Sequence, residues 1–433
     1  MVECRNNIYF KMECVSDQTS DFASAIGAIF ILVFLNMEIA THKRNDKIYI
    51  IYALNYKIGG KMRVIIAAAG TAGHINPAIS IANKIKEEET NSEIIFIGTN
   101  RGLENDLVPR AGYKLITIDA FGLSKEISLE NFKRIYKTYK GISEAKKIIK
   151  EFKPDIVIGT GGYICGPVVI AAKKCNVPIL LHESNAFPGK AVKMLAKKVD
   201  TILVSFEDAK CRIKNCKKVI YTGTPVKIKK QNYGINEKLN IIKEIGLNET
   251  KPIVLIFGGS QGAQKINEAL LNIIKEKKNK DYQIIWATGP KQYDIIKQKL
   301  TDLEININNI SNCKIVPYIY NMEEIENISD LVVARSGAMT ITEIANLSKP
   351  SILIPLPNVS NNHQMYNAKV LENVDAAKII INNELTAENL NSSIEEIVLN
   401  KQKCNKMGQN AGKLANIDVE SKIYKEIELL VKN

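Results

Sequence analysis

His74 stands in a glycine-rich turn, Gly70-Thr71-Ala72-Gly73, at the end of the apolar run Val64 to Ala69. An imidazole in such a turn can donate to a phosphate or take a proton from a hydroxyl near neutral pH. The plainer alternative is a histidine that caps a helix or merely meets water. About 190 residues on, the run Ile253 to Phe257 meets a second turn of the same kind, Gly258-Gly259-Ser260-Gln261-Gly262. Glycines between a strand and a helix let backbone N–H groups close on an anion, and the helix start adds roughly half a positive charge. Two such turns suit an enzyme that joins two phosphate-bearing substrates across a cleft.

Other segments add polar groups at the ends of strand-like runs. In LLHESNAFPGKA, His182, Glu183, Ser184 and Asn185 follow a strand expected to end at Leu181. A carboxylate beside an amide can hold sugar hydroxyls or an acetamido group, and a carboxylate there can equally be a buried partner that holds the loop. GTGGYICGP, from Gly159 to Pro167, is a further glycine-rich surface, open to a ligand or to close packing of loop on loop. VVARSGAMTITEIA carries Arg335, Ser336 and Gly337 into a helix beginning near Ala338. Its N–H groups can receive a diphosphate while Glu343 accepts from a ribose diol, although an early acidic residue is also ordinary dipole compensation. His363 and Gln364, in PLPNVSNNHQMYNA, aim at the same cleft.

These groups need a scaffold, and the chain supplies one. From Met62 onward, apolar strand-like runs alternate with helical patterns, which predicts parallel sheets covered by helices on both faces. Strands are expected near 63–69, 93–98, 115–119, 155–159, 178–182, 201–204 and 218–222, then near 252–257, 282–288, 313–316, 330–333, 350–354 and 376–380. A polar, lysine-rich stretch from Gly223 to Gly234 reads as the linker, giving lobes of 62–224 and 225–415 and a last helix, 416–433, that crosses back. Residues 1–61 read as an extension: either leader ahead of a start at Met62, or a weak membrane segment built on the 14-residue apolar run Phe22 to Leu35, short of a full span.

Composition is that of a globular protein, 45% hydrophobic and 24% charged. The eight cysteines form no CxxC pair or zinc-like spacing, which fits free thiols in a reducing compartment. A net charge of +13 favours phosphorylated substrates or anionic lipid, or else reflects a low-GC genome that favours lysine codons; nucleic acid is disfavoured because no binding module or aromatic stacking pattern accompanies the lysines.

In order and spacing, GTAGHINPAIS, GTGGYICGP, HESNAFPG, TGTPVK, FGGSQGA, RSGAMTITE and NHQMYNA closely resemble the motifs of the MurG family. These are the UDP-N-acetylglucosamine–lipid I N-acetylglucosaminyltransferases of peptidoglycan synthesis, and the resemblance covers 62 to about 430. It implies an α/β GT-B fold, two Rossmann-like lobes facing across a cleft. It also implies inverting transfer of GlcNAc from UDP-GlcNAc to the MurNAc 4-hydroxyl of lipid I, giving lipid II. By it, Thr71, Ala72 and Gly73 match first-loop contacts, Asn185 the family's asparagine, and Ser260 the serine of the second glycine loop. Ile319 matches a uracil-side position, Ala338, Met339, Thr340, Ile341, Thr342 and Glu343 the phosphate and ribose helix start, and Gln364 a sugar-binding glutamine. Ala69 and Ala72 replace glycines common in the first loop, which is tolerable at negative φ; Lys227 replaces an arginine, turning a forked donor into a point charge.

An inverting transfer needs a base, for which His74 is the first candidate and Glu183 the second. Asp302-Leu303-Glu304 falls in a connecting segment, so no DxD motif is evident and no metal cofactor is expected; amides, helix dipoles and Ser260 would carry the leaving-group charge. The lipid acceptor implies a peripheral protein on the cytoplasmic face of the cell membrane, near cell-wall synthesis or divisome proteins. In 121–150, Phe121, Leu123, Leu129, Phe132, Ile135 and Tyr136 mix with Lys125, Lys133, Arg134, Lys137 and Lys140, a pattern suited to anionic lipid or to a core-facing helix with a solvated face. Rival readings are a related GT-B enzyme such as a UDP-GlcNAc 2-epimerase, a dinucleotide oxidoreductase, which lacks its GxGxxG spacing here, and a non-catalytic UDP-sugar-binding subunit.

Overall fold

The computed structural model describes residues 9–13, 38–44, 47–53 and 61–432, apart from 122–127, 227, 229, 260–261, 308–309 and 311. The chain divides into two units, Met1–Met62 and Arg63–Asn433. In the first, β1 (Tyr9–Glu13), β2 (Glu38–Arg44) and β3 (Lys47–Ala53) form an antiparallel sheet with β3 in the middle. The run Phe22 to Leu35 lies outside the described residues. Among the described residues no helix is long and apolar enough to cross a membrane.

The larger unit holds two parallel sheets. The first contains β4 (Arg63–Ala68), β5 (Glu93–Gly98), β6 (Lys114–Thr117), β7 (Ile156–Gly161), β8 (Ile179–Glu183), β9 (Thr201–Val204) and β10 (Val219–Tyr221) in the order β10-β9-β8-β7-β4-β5-β6. Helices α1 (Ala72–Glu88), α2 (Glu104–Arg110), α3 (Leu129–Phe152), α4 (Cys165–Lys174), α5 (Lys190–Leu195) and α6 (Glu207–Lys210) connect them. Val64 to Ala68 are all buried, because both faces of a parallel sheet are covered; that is why the strand reads as an unbroken apolar run. Strand order reverses between β4 and β7, and ligands of open α/β sheets sit at the carboxyl ends of such a pair.

The second sheet runs β13-β12-β11-β14-β15-β16, with β11 (Ile253–Phe257), β12 (Gln283–Ala287), β13 (Cys313–Val316), β14 (Leu331–Ala334), β15 (Ser351–Leu353) and β16 (Ala377–Ile379). Its helices are α7 (Ile235–Ile245), α8 (Gln264–Lys275), α9 (Pro290–Asp302), α10 (Met322–Ile328), α11 (Ala338–Asn346), α12 (His363–Glu372), α13 (Ala387–Val398) and α14 (Lys401–Gly412). Separate apolar layers cover its two faces, one around Trp286 and Tyr282, the other around Phe257 and Ile344. The reversal here falls between β11 and β14. The final helix, α15 (Val419–Lys432), packs on α1, where Tyr424 donates to Glu89 at 3.2 Å.

The chain passes between the lobes twice, and the passages touch. Gly223, at φ +94°, leaves no room for a Cβ, which would sit 2.6 Å from the Asn416 amide nitrogen. Asn416 Nδ2 donates to the Thr222 carbonyl at 2.6 Å, and His182 Nε2 donates to the Gly223 carbonyl at 3.0 Å.

Candidate active site

His74 lies in the first turn of α1, directly beyond β4. Its Nδ1 is 3.1 Å from the Ala69 carbonyl, which can only accept; the proton therefore sits on Nδ1, and Nε2 keeps its lone pair. Burial, partly offset by that hydrogen bond and by the carboxylates of Glu183 and Glu104, holds the imidazole below its ordinary pKa, so it is neutral at pH 7. His363, from the facing lobe, lies near enough to lower it further.

The second glycine loop packs against this histidine. The β4–β7 register slips between Ala67 and Ala68, pairing Ala67 with Gly159 and Ala68 with Gly161, so that Thr160 is the extra residue of a bulge. Thr160 donates its hydroxyl to the His74 carbonyl at 2.8 Å. Gly161, at φ +129°, has the His74 ring where a Cβ would stand, and Gly162 has the Ala69 carbonyl. Of the two roles open to GTGGYICGP, close packing of loop on loop accounts for these glycines.

Beneath the turn is a carboxylate that the sequence did not single out. Glu104 is buried, with Oε2 accepting from the Gly70 N–H at 2.9 Å and Oε1 from the Thr99 N–H and hydroxyl at 3.0 and 2.7 Å. Burial opposes its ionisation, but these donors outweigh it and hold the carboxyl below its ordinary range. Gly70 takes φ +97°, while neither Ala69 nor Ala72 has positive φ, so the alanines that replace glycines fit without strain.

The ladder to β9 extends β8 through Glu183, so His182 and Glu183 end the strand instead of following it. His182 is buried away from the cleft, with burial pushing its pKa down to about 4, and serves the passage at Gly223. Glu183 accepts at Oε1 from the Asn185 N–H and side-chain amide (2.9 and 3.0 Å) and at Oε2 from the Gly189 N–H (2.7 Å). With donors on both oxygens it organises the loop, the second of the two roles its sequence position allowed. Its charge still faces His74.

In the second lobe, Gly258 and Gly262 leave no space for a Cβ, which would lie 2.4 Å from Ala263 and from the Thr288 carbonyl respectively. Ser260 and Lys227 lie outside the described residues. Helix α11 begins at Gly337 without a side-chain cap or an acidic residue in its first turn, so its leading N–H groups remain for an anion. Arg335 donates to the Ile354 carbonyl at 2.9 Å and Ser336 to the Gln364 carbonyl at 2.8 Å, which ties the α11 start to α12. Gln364 Oε1 accepts from the Leu356 N–H at 2.9 Å, so its NH2 is the group left to donate.

Glu343 is half-buried on α11, and burial lifts its carboxyl above the ordinary range. Glu326, on α10, is fully buried with neither oxygen hydrogen-bonded; burial and the facing Glu343 carboxylate raise it further. In the sequence Glu326 looks like one more solvated acid of MEEIEN, and only the packing of α10 removes it from water.

Two family models match: the glycosyltransferase family 28 N-terminal domain over residues 64–204 and the C-terminal domain over 253–423. A protein of Thermoanaerobacter sp. (strain X514), named UDP-N-acetylglucosamine–N-acetylmuramyl-(pentapeptide) pyrophosphoryl-undecaprenol N-acetylglucosamine transferase, is 43% identical over 372 residues, 85% of this chain and 99% of that one. One of the same name from Lactobacillus johnsonii is 44% identical over 375 residues, 86% of this chain and all of the relative. The chain belongs to the MurG family. The crystal structure of Acinetobacter baumannii MurG superposes with a TM-score of 0.67 at 25% identity, covering 85% of this chain and 99% of that one. A putative UDP-N-acetylglucosamine 2-epimerase from Listeria monocytogenes, at 14% identity and a TM-score of 0.60, covering 86% of this chain and 96% of that one, shares the fold alone.

Among the described residues, the positions implied by the MurG resemblance follow strands β4, β8, β13, β14 and β15, in turns or in helices α1, α11 and α12, with differing freedom. Thr71 is exposed beside His74. Ile319 and Ile341 bury their side chains in the second lobe's core, so a ligand can meet only their backbone. Thr342 spends its hydroxyl on the Ala338 carbonyl at 3.0 Å, one turn back along its helix. Asn185 donates to Glu183 and accepts from Asn367 of the facing lobe, a residue the sequence reading passed over.

Proposed function

We propose that this MurG-family chain transfers N-acetylglucosamine from UDP-GlcNAc to the MurNAc 4-hydroxyl of lipid I, forming lipid II with inversion at the anomeric carbon. One observation carries the reading: relatives named for that transfer match 85% of this chain and 99% of their own length at 43% identity. Identity to the 2-epimerase is only 14%, which leaves that rival with the fold and no more.

In this mechanism His74 Nε2 takes the proton from the acceptor 4-hydroxyl as its oxygen attacks the anomeric carbon and the bond to UDP breaks. Glu183 holds the loop and balances the imidazolium that forms. The α11 N–H groups and the second glycine turn receive the diphosphate, Glu343 takes the ribose diol, and Gln364 donates to the sugar. Amides and helix dipoles carry the leaving-group charge without a resident metal ion, so chelation with EDTA leaves the initial rate unchanged; a loss restored by Mg²⁺ counts against this part.

The lipid acceptor calls for a membrane-facing surface, and α3 offers one. Ile135, Tyr136 and Tyr139 are 44%, 69% and 67% exposed among the exposed cations Lys133, Lys137 and Lys140. Phe121 differs: Arg101 covers its ring at 3.9 Å. Leu123 and Lys125, and the side chains of Leu129 and Phe132, lie outside the described residues. The reading places the protein peripherally on the cytoplasmic face of an anionic membrane, where lipid II formation serves cell shape and division. Transfer of radiolabelled GlcNAc to a lipid I analogue tests the whole: UDP-GlcNAc binding without lipid II product makes the chain a sugar-nucleotide-binding subunit.

A further inference from the structure

The geometry points to Asn367 as a positioning residue that couples the two lobes, an inference resting on the transferase reading above. Asn367 lies in α12, fully buried, three residues beyond Gln364. Its Oδ1 accepts from the Ala186 N–H of the facing lobe at 2.9 Å. Its Nδ2 donates to Asn185 Oδ1, also across the cleft, and to the Ser336 carbonyl in its own lobe, both at 3.2 Å. Both amide hydrogens are thus spent on protein, and Asn367 acts through its neighbours rather than on substrate.

What it joins matters to the reaction. On one side is the loop that Glu183 organises, whose charge faces His74. On the other is Ser336, which precedes the Gly337 cap of α11, the candidate diphosphate helix, and which in turn bonds the Gln364 carbonyl. One side chain therefore sets the distance between the base's surroundings and the leaving group's receptor. The joint is also shielded: Phe187 stacks on Tyr366 with centroids 4.6 Å apart, and Arg212 donates to the Ala186 carbonyl at 2.7 Å while lying 5.4 Å from the Tyr366 ring. Kept from water, these hydrogen bonds gain strength, and loss of one partner leaves the rest unpaired.

The test uses the full chain with Asn367→Ala, Asn367→Asp, Asn185→Ala and the double variant Asn185→Ala/Asn367→Ala. Asn367→Ala lowers kcat/KM for a lipid I analogue by about 10- to 100-fold, while the Kd for UDP-GlcNAc, measured by calorimetry, stays within about threefold. Asn367→Asp keeps the acceptor for Ala186 but turns an oxygen toward the Asn185 and Ser336 oxygens, so it is impaired at least as much as the alanine variant. The double variant loses less than the product of the two single losses, because the Asn185–Asn367 bond is counted in both. Spin labels, one per lobe, report a broader distance distribution in ligand-free Asn367→Ala than in the parent. Parallel loss of UDP-GlcNAc affinity and transfer, additive losses in the double variant, or an unchanged distance distribution each overturn the inference. The distance measurement needs no substrate, so it tests the coupling even where the parent makes no lipid II and the transferase reading itself fails.

Discussion

Replacing Gly161 with alanine perturbs His74 without touching it. The new Cβ would stand 2.3 Å from His74 Cδ2, where ordinary contact begins at 3.4 Å, so the ring must retreat by about 1.1 Å or the loop must shift by as much. A retreat on that scale breaks the 3.1 Å hydrogen bond from Nδ1 to Ala69, which fixes both the ring and its tautomer. The φ of +129° adds backbone strain of about 1–3 kcal/mol for a side-chain-bearing residue. Misplacement of a reacting group by about 1 Å can cost about 100-fold in rate. Gly161→Ala is therefore expected to lower kcat for GlcNAc transfer by about that factor. The Kd for UDP-GlcNAc, whose diphosphate and ribose the proposed mechanism assigns to the other lobe, is expected to stay unchanged by calorimetry. Gly166→Ala is the control: it lies in α4, its Cβ meets open space, and it gains up to about 1 kcal/mol of helix stability with turnover retained. If Gly161→Ala turns over within about threefold of the parent, or loses nucleotide affinity in proportion to rate, the placement of the His74 ring is not what sets the rate.

Because burial keeps His74 below its ordinary pKa, kcat/KM holds its plateau down to about pH 6.5 and falls only as the pH drops through the lowered value; His74→Gln removes both the activity and this acid limb, and an acid limb centred above the ordinary value would be inconsistent with the buried ring. Glu326 has a raised carboxyl pKa, so folding favours its protonated form and stability declines as the pH rises from about 5 toward about 9. Glu326→Gln flattens that slope and raises Tm at pH 8, and thermal melts across the range would expose the opposite sign. Tyr136→Ser together with Tyr139→Ser reduces sedimentation with anionic liposomes by about tenfold, as exposed aromatic area is lost from the interface. Transfer to a water-soluble acceptor analogue is preserved, and undiminished liposome binding would move the docking surface elsewhere.

The scaffold was legible because parallel strands announce themselves. Val64 to Ala68 and Ile253 to Phe257 are buried on both faces, so each appears as a continuous apolar run closed by glycines. His74 could be found for the same reason: it follows such a run directly. Glu104 could not, since its burial depends on a Gly70 amide 34 residues away that only the folded sheet brings near. Asn367 was hidden differently; it shares a motif with Gln364, and nothing local says that one bonds within its own lobe while the other reaches the opposite lobe. Strand β3, KIYIIYA, carried its β-branched and aromatic signal in plain view, but a start at Met62 and the apolar run Phe22 to Leu35 made residues 1–61 read as leader or weak membrane segment.

The paired passages at Gly223 and Asn416 constrain how the two lobes can move against each other. A lone tether twists as readily as it bends, whereas two chain segments hydrogen-bonded side by side behave like a leaf spring, stiff within the ribbon's plane and compliant only across it. Opening is thereby confined to a single rocking direction. Any rocking across that ribbon would return the same faces of the two lobes to the same alignment.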